Sequence, residues 1–255
     1  MPLPKFIGIG APRSGTRWLA QCLAEHPEVS IPPEEVYFFT TRRVVHSYWE
    51  RGVEWYEQLF AQTMKAGAVT WGEVTPTYLL DDGAAERIHR VVPDVKLICV
   101  LRDQSERAYS WYRFFLNVNR DLYDSNYSFR RFLTYHTEVY AQEGLYLDLI
   151  LRYLAYFPRD SVLILLYDDL RESPLSVIRK VYEFLGVDAG FVPPSGEKRI
   201  NDTALVSSTT QSNLNLDPEM RARMHEIYEA HNRRLGGFLG RDLSLWNTGV
   251  RAPGR

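Results

Sequence analysis

The chain is 255 residues long and carries 30 Lys and Arg against 32 Asp and Glu, a formal net charge of −2. That length suits one large α/β domain, which buries roughly 70–75% of its unfolded surface and needs no covalent staple. The near-neutral balance excludes a nucleic-acid binder driven by bulk electrostatics and leaves any anion to locally placed arginines.

Lys5–Gly10 is a short apolar run ending in glycine, the profile of a buried strand. Ala11–Thr16 has turn chemistry, and Trp18, Leu19, Cys22 and Leu23 place a helix over Arg17–His26, closed by Pro27. Ile31–Thr41 reads as irregular, Ser47–Phe60 as an aromatic-rich helix and Ala68–Glu73 as a short strand. Asp82–Val92 is predicted helical, and Lys96–Leu101 is the clearest buried strand, with a long helix following through Trp111 and Phe115. Helices are expected over Phe129–Gln142, Tyr146–Phe157 and Pro174–Leu185, and a strand over Ser161–Tyr167. Gly190–Ser212 is polar and turn-rich, and Asp217–Leu235 is a final helix, with Asp217 capping before Pro218.

Apolar strands separated by helical segments imply a mostly parallel central sheet with helices on both faces, a P-loop-like α/β fold. No internal repeat or composition shift marks a boundary, so 1–255 is read as one domain. Cys22 and Cys99 both lie inside apolar patterns, which argues against a disulfide or a metal site and for a reducing, cytoplasmic location. No apolar run approaches the ~20 residues that cross a bilayer, and the opening MPLPKFIGIGAPRSG lacks the pattern of a signal peptide.

Two segments carry chemistry. The first is the loop at 8–18, where a strand, a turn and a helix meet. Its backbone N–H groups and the helix start form a cradle for a phosphate, with Gly10 and Gly15 allowing close approach. Ser14 and Thr16 add hydroxyls, Arg13 and Arg17 add charge, and Trp18 follows. Gly10 and Gly15 fit the spacing of the nucleotide-triphosphatase loop, but Thr16 stands where its lysine belongs and Arg17 where its magnesium-binding hydroxyl belongs. No metal is expected.

The second segment spans 96–113. Arg102 lies just past a strand's carboxyl end, where open α/β sheets bind ligands. Asp103 caps the next helix with Glu106 as its capping-box partner. Ser110 falls about two turns into that helix, where a hydroxyl can meet a phosphate gripped by Arg102.

PRSGTRWL after one strand and LRDQSERAYSWY after another resemble the paired nucleotide motifs of PAPS-dependent sulfotransferases, PAPS being 3′-phosphoadenosine 5′-phosphosulfate. The first resembles the loop that binds the 5′-phosphosulfate, and the second the motif whose Arg and Ser, here Arg102 and Ser110, bind the 3′-phosphate. Further likeness to bacterial members and to the heparan sulfate branch runs through Glu35-Val-Tyr-Phe-Phe39, Glu73-Val-Thr-Pro-Thr-Tyr78, Gly144-Leu-Tyr146 and Asn232-Arg-Arg-Leu235, covering Phe6 to Trp246. Four departures stand out. Arg13 replaces the family's loop lysine, Val74 a second lysine, and Tyr37 the histidine after the glutamate. No cysteine follows Cys99, so the disulfide-bearing loop of the heparan sulfate enzymes is absent and glycosaminoglycan specificity is not implied.

The resemblance implies sulfuryl transfer to an acceptor hydroxyl or amine. Glu35 is the implied general base, with Glu34, Glu73 and His46 in reserve, and Arg13 neutralises charge on the leaving phosphate. Lys198 and Arg199, in a closing loop at about 190–212, reach the 3′-phosphate or the sulfonate, and Arg17 or Lys198 replaces the missing lysine. The implied partners are PAPS and a small-molecule, sugar or lipid acceptor, with no nucleic acid and no membrane span; acceptor identity and oligomeric state stay open. The aromatic segments Tyr37–Phe39, Tyr48–Tyr56 and Trp111–Phe115 either wall the acceptor cleft or fill the core. Two rival readings share the fold: a small-metabolite kinase and a non-catalytic nucleotide-binding module.

Overall fold

Continuous apolar runs such as 97–101 and Val162–Leu166 are satisfied only when both sheet faces are covered. The computed structural model describes residues 3–41, 47–119, 127–198 and 218–248. Strands β1 (Phe6–Gly10), β2 (Val29–Ser30), β3 (Thr70–Val74), β4 (Lys96–Leu101) and β5 (Val162–Leu166) form one sheet in the order β2-β3-β1-β4-β5. Every pairing is parallel, with Ile7 opposite Glu73 and Leu97, and Cys99 opposite Ile164. The carboxyl ends of β3, β1 and β4 therefore lie side by side.

The helices are α1 (Thr16–Glu25), α2 (Gly52–Thr63), α3 (Ala84–Val91), α4 (Gln104–Val118), α5 (Phe129–Glu143), α6 (Tyr146–Leu154), α7 (Tyr167–Glu172), α8 (Pro174–Leu185), α9 (Pro218–Leu239) and α10 (Leu245–Thr248). Packing divides the chain into two compact units. The first comprises Met1–Arg102 with Ile150–Asn201, and the second Asp103–Leu149 with Asp202–Arg255. The first holds the whole sheet. Trp18, Leu19, Cys22 and Leu23 of α1 join Ile98 and Val100 of β4 and Val177, Ile178 and Val181 of α8 in one apolar cluster. Because strand side chains alternate, Leu97 and Cys99 point to the opposite face, where they are equally buried. A 3-10 turn at Pro76–Leu80 packs on β1. In the second unit, Tyr112 of α4, Phe129 and Phe132 of α5, and Met224 and Tyr228 of α9 form a separate core. Asp103 caps α4 by accepting from the Glu106 amide, as its sequence position suggests.

The α/β architecture with a parallel sheet agrees with the reading of the sequence, and several boundaries move. The helix expected over Ser47–Phe60 starts as a 3-10 turn at Trp49–Arg51, and α2 begins only at Gly52, whose φ of +80° breaks the run. The strand expected through Tyr167 ends at Leu166. Asp168 and Asp169 in the first turn favour helix α7 at that point. Strand β2, two residues long, is too short for any periodicity to reveal. The cap assigned to Asp217 lies outside the described residues.

Ile98 is fully buried in the β4 core. Ile98→Ala is expected to lower unfolding free energy by about 2–5 kcal/mol in a urea titration, and a loss under 1 kcal/mol would contradict the packing described.

Candidate functional site

The loop after β1 is built to expose donors. Arg13 has φ 66° and Gly15 φ 93°, both left-handed. Glycine tolerates that region freely, whereas a non-glycine residue held there costs about 1–3 kcal/mol and persists only where its surroundings enforce it. At Gly15 a Cβ would also press to 3.2 Å from the Tyr167 ring. Gly15 is the residue before α1, and no side chain caps that helix. The Ser14 side-chain oxygen is fully buried, with no hydrogen-bond partner among the described residues. An uncapped helix start, a left-handed turn and an orphaned buried hydroxyl together are the donor set that a phosphate accepts. The residues present thus fit the phosphosulfate end of PAPS.

Arg102, beyond β4, is drawn to the same loop. Its Nη1 donates to the Arg13 carbonyl at 3.1 Å, and its guanidinium lies 4.4 Å from the centre of the Tyr167 ring. Tyr167 therefore supports both Gly15 and Arg102, a role its place at the end of a predicted strand did not disclose. Thr16 is buried. Trp18 is buried too, and its indole N–H donates to the Gly196 carbonyl at 3.2 Å, tying the start of the 190s segment to α1. Ser195 strengthens that tie by donating from its amide and hydroxyl to Glu25, at 2.8 and 2.6 Å. Lys198 is exposed, and its charge acts on Glu25 in the last turn of α1. Among the described residues no hydrogen bond joins Lys198 to Arg13–Thr16. Ser110 lies half-buried within α4, in the second compact unit. Arg199 and His46 fall outside the described residues.

Glu35 sits in the irregular stretch before α2. The Glu35 residue is largely exposed, yet its carboxyl is sheltered enough that loss of hydration raises its pKa above the usual carboxylate range. A hydrogen bond from Tyr37 and the charge of Arg17 work against that rise, and neighbouring Glu34, itself exposed, adds to it. Arg17 is the second residue of α1, so its influence on Glu35 joins the phosphate loop to the carboxylate. Tyr37 has φ 53°, the second non-glycine residue in the left-handed region. Burial and the same hydrogen bond raise its pKa in turn.

Glu73, at the end of β3, is 1% exposed. Its carboxylate accepts hydroxyl donors from Tyr56 at 2.5 Å, Thr75 at 2.5 Å and Tyr78 at 3.1 and 3.2 Å. Burial pushes its pKa up to about 7, the three hydroxyls work against this, and the Glu35 charge adds to the rise. Of the aromatic segments, Phe38, Phe39 and Tyr56 are core, whereas Tyr37, Tyr48, Trp49 and Trp55 keep part of their surface in solvent.

The sulfotransferase domain model matches residues 3–235. The chain is 32% identical over 201 residues to human bifunctional heparan sulfate N-deacetylase/N-sulfotransferase 3, covering 72% of this chain and 22% of that protein. It is also 32% identical over 187 residues to human heparan sulfate glucosamine 3-O-sulfotransferase 6, covering 72% of this chain and 52% of that protein. The chain thus spans between about a fifth and a half of the curated relatives it matches. A sulfotransferase crystal structure from Alicyclobacillus acidocaldarius superposes with a TM-score of 0.79 at 28% identity, covering 96% of this chain and 99% of that one.

The Arg17 charge lowers the Glu35 pKa, so removing it must raise it. In Arg17→Ala the carboxyl titration of Glu35, followed by 13C NMR in the ligand-free protein, is expected to move to higher pH than in the parent. No movement, or a downward one, would place Arg17 too far away to matter.

Proposed function

The chain belongs to the sulfotransferase domain family, and we propose that it transfers the sulfuryl group of PAPS to an acceptor hydroxyl or amine, releasing adenosine 3′,5′-bisphosphate. The observation that carries this reading is the Glu35 carboxyl under the charge of Arg17, two residues beyond a glycine turn whose neighbouring Ser14 hydroxyl is buried and unpartnered. A proton acceptor and an anion cradle are thereby joined through one helix start. PAPS supplies an activated sulfuryl group on a phosphate leaving group.

Glu35 takes the proton of the attacking hydroxyl or amine, a contribution typically worth ~10²–10⁴ in rate. Its raised pKa makes it a stronger base than an ordinary carboxylate. Arg13 stays ionised and so cannot hand a proton to the leaving oxygen; it neutralises the charge that develops there. Ser14, Gly15, Thr16, Arg17 and Trp18 belong to the 5′ end of the nucleotide. Arg102 is assigned to the 3′-phosphate, and Ser110, Lys198 and Arg199 follow on the sequence motifs alone. The proposal treats 1–255 as one catalytic domain.

A magnesium-dependent kinase is the poorer account, because its loop needs lysine at Thr16 and a hydroxyl at Arg17. For the acceptor, Tyr48, Trp55 and Arg51 offer a partly exposed surface, with Arg51 4.7 Å from the centre of the Tyr48 ring and 5.1 Å from that of Trp55. Such a surface suits a ring-shaped acceptor, a sugar or a phenol. No described helix is long and apolar enough to cross a membrane. Both cysteines are buried and free, which supports a reducing compartment such as the cytoplasm.

Conversion of PAPS to adenosine 3′,5′-bisphosphate is the assay, with p-nitrophenol, a glucosamine-containing oligosaccharide and water as acceptors. Arg13→Ala is expected to lose most turnover and Arg13→Lys to keep a good part. Glu35→Gln is expected to lose ~10²–10⁴ while holding the bisphosphate as tightly as the parent. In thermal shift, adenosine 3′,5′-bisphosphate is expected to stabilise the fold and magnesium ATP is not. The reverse pattern would sink the proposal in favour of a kinase, and bisphosphate binding without PAPS turnover in the parent, or turnover unchanged in Glu35→Gln, would leave Glu35 without a chemical role and favour a non-catalytic module.

A further inference from the structure

Glu35 and Tyr37 lie on a stretch with no regular secondary structure, yet that stretch holds Tyr37 in the left-handed region. Backbone of this kind needs outside anchors; besides the Arg87 guanidinium, which donates to the Phe39 carbonyl at 2.8 Å, three bear on Val36, Tyr37 and Phe39. The Val36 amide donates to the Thr75 hydroxyl at 2.9 Å, the Phe39 amide donates to the Tyr78 hydroxyl at 3.3 Å, and the Tyr48 amide donates to the Tyr37 carbonyl at 3.3 Å. The first two anchors bracket Tyr37 on both sides.

The two anchoring hydroxyls share one feature. Each accepts from a backbone N–H and must therefore send its own hydrogen elsewhere. Both send it to Glu73, Thr75 at 2.5 Å and Tyr78 at 3.1 and 3.2 Å. Tyr56 donates to the same carboxylate at 2.5 Å and stacks on Phe38 with ring centres 4.3 Å apart. An ionised carboxylate accepts only, so it orients both hydroxyls and leaves their lone pairs turned toward Val36 and Phe39. A fully buried carboxylate is costly, and a chain would not keep one merely to fill space. At 1% exposure Glu73 is also out of reach of an acceptor, which removes it from the list of possible bases.

We propose that Glu73 is a positioning residue for the reaction: through the Thr75 and Tyr78 hydroxyls it clamps the backbone of Val36 and Phe39, and so fixes Glu35 and Tyr37 where proton transfer requires them. This rests on the assignment of Glu35 as base. Glu73→Gln keeps the volume but puts an amide donor where an acceptor is needed, so at least one of the hydroxyls loses its orientation. A misplacement of the base by an ångström costs on the order of 10²-fold in rate, with nucleotide binding untouched.

Two measurements test the clamp. The first is amide hydrogen exchange in the ligand-free protein. In Glu73→Gln the Val36 and Phe39 amides are expected to exchange at least ~10-fold faster while Ile98 and Val100 in the sheet keep their protection. The second is a double-mutant cycle in the PAPS-cleavage assay at pH 8, above the value of about 7 to which burial pushes the Glu73 pKa. Glu73→Gln is expected to lower kcat by about 10–100-fold with the affinity for adenosine 3′,5′-bisphosphate unchanged, and to add under ~3-fold once Glu35→Gln is present. Should Glu73→Gln not fold, Thr75→Val takes its place in both measurements, and Thr75→Ser is expected to restore the hydroxyl, the exchange protection and most of the turnover. Unchanged exchange at Val36 and Phe39, an equal loss of kcat in both backgrounds, or a loss confined to nucleotide affinity would overturn the inference. If Glu35→Gln itself turns over normally, the base assignment fails instead. The exchange result then still reports whether the clamp exists.

Discussion

The carboxyl ends of β3, β1 and β4 lie side by side, and that adjacency gathers backbone N–H and guanidinium groups at one edge of the sheet. The strand order makes this possible. With β1 between β3 and β4, the loop bearing Arg13–Gly15, the segment from Glu73 to Tyr78 and the Arg102 position all emerge at the same sheet edge. Open α/β sheets place ligands at such an edge because the strand ends and helix starts there leave backbone donors unpaired. Backbone strain follows the same geography. Both non-glycine residues with positive φ, Arg13 and Tyr37 among the described residues, belong to this region. Each is braced from a neighbouring strand end: Arg13 by Arg102 on its carbonyl, Tyr37 by the hydroxyls held on Glu73.

Charge is distributed in the same economical way. A chain of net charge −2 cannot attract a nucleotide by its overall field, so its cations must be local and its carboxylates tuned. Arg17 touches both needs, since it is the second residue of α1, beside the Arg13–Gly15 turn, and also acts on Glu35. Glu35 stands between opposing influences, with desolvation and Glu34 favouring the protonated form and Tyr37 and Arg17 the ionised one. The outcome is a carboxylate of more than ordinary basicity.

Replacement of the family's histidine by Tyr37 and of its second lysine by Val74 has visible physical effects. Tyr37 gives Glu35 a hydrogen-bond donor that carries no charge. Val74 is 8% exposed and packs in the sheet core with Trp18 and Ile98, so no cation is presented at that position. Tyr56 and Phe38 stack within the core, which leaves Tyr48, Trp55 and Arg51 as the aromatic and cationic groups with surface to offer.

Much of this was legible in the residues. Continuous apolar runs such as Lys96–Leu101 announce buried parallel strands, glycine between strand and helix announces a tight turn, and Asp103 before Glu106 announces a helix start. These are local signals, set by residue type and spacing within a few positions. The hidden features all depend on distant partners: β2, too short to have a period; the Tyr167 ring under Arg102 and Gly15; the Trp18 bond to Gly196; and the hydroxyls of Tyr56, Thr75 and Tyr78 meeting on Glu73. Sequence by itself determined most of the longer elements and the chemistry each could bear, because propensity, periodicity and turn conformation act along the chain. Only the tertiary structure shows Glu73 as a buried acceptor of three hydroxyls and Glu35 as the carboxyl under the Arg17 charge. Burial, pKa and hydrogen-bond polarity are properties of what surrounds a side chain, and those surroundings come from strands far apart in the chain.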